Sequence, residues 1–159
     1  ETAGRCGYIN QEGEEVIEPK YYYAGTFSEG LAAVKVSQDD GVAGWGFINP
    51  EGEMVLGGDY AYVGNFSDGL CPVYFGSSAE DATGKWGYID KQGNVVLEAQ
   101  YMTAGNFSDG MAAVQLSSEE DDWAYIDTQG NVLFDAQYAG CGQFSEGLAA
   151  VVVVNGMQR

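Results

Sequence analysis

Trp86-Gly87-Tyr88-Ile89-Asp90-Lys91-Gln92-Gly93-Asn94-Val95-Val96-Leu97 reads as a β-hairpin. Trp86, Tyr88 and Asp90 alternate with Gly87 and Ile89, the two-residue period of an extended strand. Asp90 begins a four-residue turn and Gly93 ends it, the chemistry of a type I turn that closes in the left-handed region. The return strand from Asn94 to Leu97 is rich in the β-branched and apolar residues that strands favour.

Close copies of this stretch begin at Cys6, Trp45 and Trp123, and four copies fill the chain. Their turns read Asn10-Gln11-Glu12-Gly13, Asn49-Pro50-Glu51-Gly52 and Asp127-Thr128-Gln129-Gly130. The return strands run Glu15 to Glu18, Met54 to Leu56 and Asn131 to Phe134. Each hairpin is followed by a lone tyrosine (Tyr21, Tyr60, Tyr101, Tyr138), then a glycine (Gly25, Gly64, Gly105, Gly142). An aromatic at one position of every copy implies packing on the adjacent unit, and the glycine implies a turn or a close backbone approach. Next comes Phe27-Ser28-Glu29-Gly30 and its equivalents Phe66 to Gly69, Phe107 to Gly110 and Phe144 to Gly147, a second tight turn beside an aromatic anchor.

The spacing separates rigid from elastic parts. Gly7, Gly46, Gly87 and Ala124 each precede the later phenylalanine of their copy by twenty residues, whereas the steps between copies are thirty-nine, forty-one and thirty-seven. All length variation therefore falls in the loops Ser37 to Gly44, Gly76 to Lys85 and Ser117 to Asp122. A constant interior with one elastic loop is expected of stacked or radially arranged units that present the same faces to their neighbours. The copies divide the chain into 1–39, 40–80, 81–119 and 120–159, one repeat domain over 1–159.

A third strand ends each copy. One face carries Ala32, Val34 and Val36, then Cys71, Val73 and Phe75, then Ala112, Val114 and Leu116, then Ala149, Val151 and Val153. The other face varies from Lys35 to Tyr74 to Gln115 to Val152. The pattern predicts core on the first face, solvent on the second, and a space that widens from small through valine to large.

These copies resemble the WG repeat family of bacterial proteins, named for its tryptophan-glycine pair. Trp86 to Leu97 together with Phe107 to Val114 follows the family pattern almost position for position, while Cys6 and Ala124 depart from the signature pair. The resemblance implies a binding or scaffolding module and brings no catalytic residues with it. The pattern is also broadly similar to the hairpin arrays of cell-wall-binding proteins.

Composition bounds the partners. The 159 residues include 24 acidic and 6 basic side chains and no histidine, a formal net charge of −18. Such a surface opposes nucleic acid and anionic lipid and favours solubility. No run approaches the roughly 20 apolar residues of a membrane helix, so no membrane insertion is expected. The opening Glu1-Thr2, without a methionine, and the closing Asn155-Gly156-Met157-Gln158-Arg159 read as cut from a longer series, with any targeting segment outside it. The expected setting is a bacterial surface or secreted protein. Cys6, Cys71 and Cys141 stand where other copies have tryptophan or small apolar residues, which predicts buried free thiols.

Three chemistries bear on the residues present. Carboxylate pairs could serve glycoside hydrolysis, but the motif acids recur at turn positions and no histidine or phosphate-binding loop accompanies them. No catalytic residue and no cofactor is expected. The loop acids Asp39, Asp40, Glu119 and Asp121 are weak calcium candidates without the alternating aspartate pattern of a calcium loop. Trp45, Trp86 and Trp123, with Tyr88, Tyr125 and Phe47, are candidates for an aromatic ladder that stacks on sugar rings or a peptide, against the simpler reading of packing between units.

The expected fold is all-β: a tandem array of four β-meander repeats of about 40 residues and about three strands each, solenoid-like or curved, with a closed four-bladed propeller as the alternative. The expected function is a non-catalytic binding or scaffold module for a protein or glycan partner, the alternative being a carbohydrate-active enzyme or its accessory domain. Open array ends would also expose strand edges for self-association.

Overall fold

In each copy the chain changes sheet after its lone tyrosine, so every sheet but the first and last is built from two consecutive copies. The computed structural model describes residues 4–37, 44–76, 84–119 and 122–153, and of 59 and 135–137 the backbone alone. The first copy contains β1 (Cys6–Ile9), β2 (Glu15–Tyr21), β3 (Tyr23–Ala24) and β4 (Ala32–Lys35). The second contains β5 (Trp45–Ile48), β6 (Met54–Tyr60), β7 (Tyr62–Val63) and β8 (Leu70–Phe75). The third contains β9 (Lys85–Asp90), β10 (Val95–Tyr101), β11 (Thr103–Ala104) and β12 (Ala112–Gln115). The fourth contains β13 (Trp123–Ile126), β14 (Val132–Tyr138), β15 (Gly140–Cys141) and β16 (Val151–Val152). The described residues include no helix.

Hydrogen bonding gives the sheets β3-β4-β5-β6, β7-β8-β9-β10 and β11-β12-β13-β14, flanked by the two-stranded sheets β1-β2 and β15-β16. The last strand of one copy pairs antiparallel with the first strand of the next: Ala32 opposite Ile48, Val34 opposite Gly46 and Lys35 opposite Trp45. The same register joins β8 to β9 and β12 to β13. The protein is thus an all-β tandem array of four units. Each unit carries a fourth, two-residue strand beyond the three expected and is divided between two sheets, so the meanders expected within each copy run instead from the end of one copy into the hairpin of the next. Among the described residues β1 and β16 do not pair with each other, and no shared sheet there closes the array into a ring.

Both tight turns form as their residues dictate. Asn10 Oδ1 accepts from the backbone N–H of Glu12 and Glu14 at 3.0 and 2.9 Å, and Gly13 follows at φ 84°. Asp90 and Asp127 do the same for Gln92, Asn94, Gln129 and Asn131. In the second turn Glu29, Asp68, Asp109 and Glu146 lie at φ between 51° and 53° and the glycine after each at φ between 75° and 85°. Two successive positive φ values make a type I′ turn, closed by reciprocal bonds such as Ser28 N to Leu31 O (2.9 Å) and Leu31 N to Ser28 O (3.1 Å).

The invariant spacing has a physical cause. In every copy the aromatic after the Trp-Gly position meets the later phenylalanine: Tyr8–Phe27, Phe47–Phe66, Tyr88–Phe107 and Tyr125–Phe144, with ring centroids 4.9–5.0 Å apart. An inserted residue would pull these rings apart. Three of the four aromatics are tyrosines whose hydroxyls donate to Gly25 O, Gly105 O and Gly142 O at 2.7–2.8 Å, tying the hairpin to the connector.

Sheets stack face to face, and the core lies between them. Ile17 and Tyr21 pack on Ala32, Val34 and Ile48. The opposite face of that sheet, with Ala33, Phe47 and Leu56, packs on Cys71, Val73 and Ile89. Tyr88, Leu97 and Tyr101 then pack on Ala112, Val114, Ala124 and Ile126. Each enclosed side chain of this size contributes about 1.5–3 kcal/mol. The lone tyrosines Tyr21 and Tyr101 indeed pack on the adjacent unit.

This stacking corrects the reading of the third strand. Ala33, Pro72 and Ala113, on the face expected to meet solvent, are buried, because a sheet inside a stack has a neighbour on both sides. Val36, Phe75 and Leu116, expected to fill the widest part of the core, are exposed, since the strand has by then run past the stacked sheets. The cysteines are all free, but Cys6 is exposed and Cys141 half-buried, so the expectation of buried thiols holds only for Cys71. Cys6 lies on β1, which has no strand on its other side.

Candidate functional site

In three copies the Trp-Gly glycine meets a close backbone approach. A Cβ at Gly87 would lie 2.6 Å from Leu97 O, at Gly7 2.4 Å from Ile17 O, and at Gly46 2.8 Å from Leu56 O. The return strand presses against the first strand here, at a register shift in each hairpin. Ala124 places a methyl at this position and encloses it.

The tryptophans stand one residue earlier, in the paired rows at the elastic-loop end of the sheets. Across the three central sheets these rows read Tyr23, Lys35, Trp45, Tyr60, then Tyr62, Tyr74, Trp86, Tyr101, then Thr103, Gln115, Trp123, Tyr138. Trp45, Trp86 and Trp123 are half-buried. Tyr88 and Tyr125, candidates beside them for an accessible ladder, are sealed in the core with their hydroxyls bonded to glycine carbonyls, and Phe47 is sealed with them. The structure thus places each tryptophan in the equivalent row of its own sheet and separates it from the tyrosines. Burial drives the Tyr125 hydroxyl up to about 12 and that of Tyr88 higher still.

One tryptophan opens onto a groove. Tyr23, Ala24, Gly25, Thr26, Ala33 and Trp45 of one sheet face Val63, Gly64 and Asn65 of the next around about 270 Å³. Tyr23 and Trp45 meet edge to face at 5.1 Å and form one wall. The backbone of the groove is already bonded: Gly25 N donates to Ala33 O, Gly64 N to Pro72 O, and Asn65 N to Asn106 Oδ1. Trp45, Thr26 and Asn65 line it, and their side-chain polar groups have no partner among the described residues. Sequence reasoning singled out Trp45 but missed Tyr23, Thr26 and Asn65, which come from the variable connector and carry no motif.

The carboxylates of the second turn are occupied structurally. Glu29 accepts from Gly69 N at 3.1 Å, Asp68 from Gly110 N at 2.9 Å and Asp109 from Gly147 N at 3.2 Å. Each copy thereby holds the equivalent turn of the next. Lys91 also donates to Glu29 O at 3.0 Å and lies 3.5 Å from its carboxylate, reaching from the third copy to the first. Hydrogen bonds from Asn94 and Asn131 hold the Asp90 and Asp127 carboxyls below the usual carboxylate range. Among the calcium candidates, Asp39, Asp40 and Asp121 lie outside the described residues. Glu119 is exposed, and the described residues contain no cluster of three metal-ligating side chains.

Stacked sheets with equivalent turns, rows and inter-copy bonds define a β-repeat array. The description "WG containing repeat" matches residues 7–38, 45–77, 86–118 and 123–156, most of the chain, and the protein belongs to that family. No curated protein and no solved structure matches the chain.

Proposed function

We propose that the protein is a non-catalytic binding or scaffold module that presents the tryptophan rim of its array to a protein or glycan partner, in a bacterial surface or secreted setting. The observation that carries this reading is the Tyr23–Trp45 groove. It offers a broad aromatic wall together with unpaired polar groups on Trp45, Thr26 and Asn65, the combination that large amphipathic rings supply at recognition sites. The structural use of Glu29, Asp68 and Asp109 supports a non-catalytic role, since each carboxylate is engaged by a backbone amide.

Tryptophan fluorescence, titrated with oligosaccharides, wall fragments and unstructured peptides, tests the reading. The expected result is a saturable shift with one ligand class that Trp45→Ala abolishes while circular dichroism stays unchanged. A shift that survives in that variant would move the site elsewhere. No shift with any ligand would remove the groove as a binding surface.

A further inference from the structure

The second gap in the stack shows what fills the space that stands open as a groove in the first. Ala33 and Pro72 hold the same place in their copies, and so do Thr26, Asn65 and Asn106. Between the second and third copies, the fully buried Pro72 lays its ring over Gly64, where a Cβ would lie 2.6 Å from Pro72 Cγ. The Asn106 carboxamide lies there too. Its Oδ1 would be 2.5 Å from that Cβ, and it accepts from Asn65 N at 2.9 Å. A saturated ring and an amide oxygen therefore close the second gap.

The first gap has neither. The three atoms nearest a Cβ at Gly25, the counterpart of Gly64, all belong to Ala33, at 3.1–3.8 Å. The Asn65 side chain makes no bond like that of Asn106, and Thr26 N, the counterpart of Asn65 N, has no partner among the described residues. What remains is about 270 Å³, below the roughly 300–1,000 Å³ of drug-sized ligand sites, so it takes one ring-sized unit.

The lining selects the chemistry of that unit. None of its residues is charged, although the chain carries a formal −18, and Lys35, paired with Trp45 in the same row, is not among them. A charged ligand would lose water there without gaining a counter-charge. Tyr23 and Trp45 supply broad rings for an apolar ring face. The Thr26 hydroxyl and the Asn65 carboxamide each both donate and accept, which suits sugar hydroxyls, whereas a proline-rich segment offers acceptors alone.

We propose that this groove binds one N-acetylated hexosamine unit of a neutral glycan. Its pyranose ring takes the place that Pro72 fills in the next gap, and its acetamido oxygen accepts from Thr26 N as Asn106 Oδ1 accepts from Asn65 N. The assignment rests on the reading of the Tyr23–Trp45 groove as a binding surface and names its ligand. In the third gap Ala113 again leaves room, but Thr103 stands where Tyr23 does and the aromatic wall is incomplete, so one site per chain is expected.

Nuclear magnetic resonance of the isotope-labelled protein tests this, with titrations of N-acetylated chitotriose, of cellotriose, which has hydroxyls in place of the acetamido groups, and of an oligoproline peptide. The acetylated sugar is expected to shift the Thr26 amide and the Trp45 indole N–H saturably. Cellotriose is expected to bind about tenfold more weakly, the order of one lost hydrogen bond, and to leave the Thr26 amide in place. Ala33→Pro, the residue that the second copy already carries at this position, is expected to abolish binding with unchanged circular dichroism. Thr26→Pro, which removes the N–H, is expected to erase the difference between the two sugars. Equal affinity of the wild-type protein for both sugars overturns the proposal. Binding of oligoproline alone overturns the ligand class while leaving the groove as a binding surface. Binding of the acetylated sugar that a folded Ala33→Pro protein retains overturns its placement. No shift with any of the three overturns the proposal, and the wider ligand panel then decides for the groove itself.

Discussion

At the scale of the residue, the four copies act as internal substitutions of one another. Tyr88 donates to Gly105 O, while Phe47 fills the same position in the second copy without a hydroxyl. The ring is therefore the common requirement and the hydrogen bond an increment. Tyr88→Phe is expected to cost about 0.5–1.5 kcal/mol, measured by urea denaturation. Gly87→Ala is expected to cost more, about 1–3 kcal/mol, because the new methyl meets backbone at Leu97 O rather than a movable side chain. That ordering is checked by the same titration.

The same tyrosines give the protein an alkaline limit. A hydroxyl raised from 10.0 in the unfolded chain to about 12 at Tyr125 holds its proton more tightly when folded. The stability this contributes is fully present below pH 10 and is lost as pH rises toward 12. Tyr125→Phe should reduce that alkaline loss, read as the change in urea midpoint between pH 8 and pH 11. On the acid side the sign is opposite. Asp90 and Asp127 are held below the ordinary 3.8, so their contribution is present above that value and is lost as pH falls through the folded one. Replacing both by alanine should flatten the stability profile between pH 5 and pH 2.5.

At the scale of the element, one position in the copy has different worth depending on what covers it. Leu97 on β10 is 7% exposed and packs on Ala124 and Ile126, whereas its counterpart Phe134 on β14 is 43% exposed. Leu97→Ala is expected to cost about 2–4 kcal/mol by loss of transfer free energy and creation of a cavity, and Phe134→Ala under about 1 kcal/mol. Equal costs, measured on the isolated chain at low concentration, would contradict the stacking. The turn ladder gives a second contrast. Asp68 combines a φ of 51° with a bond to Gly110 N, and asparagine tolerates that backbone and keeps an acceptor oxygen. Asp68→Asn should therefore be less destabilising than Asp68→Ala.

At the scale of the whole molecule, neighbours supply the stability, and charge governs encounters. Sheets inside the stack have two covered faces and the end sheets only one, so backbone amides of β8, β9 and β12 should exchange with solvent last and those of β15 and β16 first. A formal charge of −18 on each molecule opposes the close approach of two molecules. Salt screens that repulsion over about 8 Å at physiological strength, so the repulsion between molecules in solution should weaken as salt rises. Sedimentation at low and high salt gives the sign directly.

Several features follow from the chain alone. Asn10 to Gly13 and Ser28 to Gly30 specify their turns locally, because Asx acceptors and positive-φ glycines act within four residues. The constant twenty-residue interval records the ring contact of Tyr8 with Phe27 and its three equivalents. Family membership, the all-β class and the four units are legible for the same reason. Tertiary structure alone decided which strands pair. In a periodic chain a third strand can meet the hairpin of its own copy or the next, and both give the same pattern of residues. Only stacking selects the second, burying Ala33 along with Ala32 and sealing Tyr88 while leaving Trp45 at a groove. That groove was illegible because Tyr23, Thr26 and Asn65 come from two copies and meet only when the sheets stack.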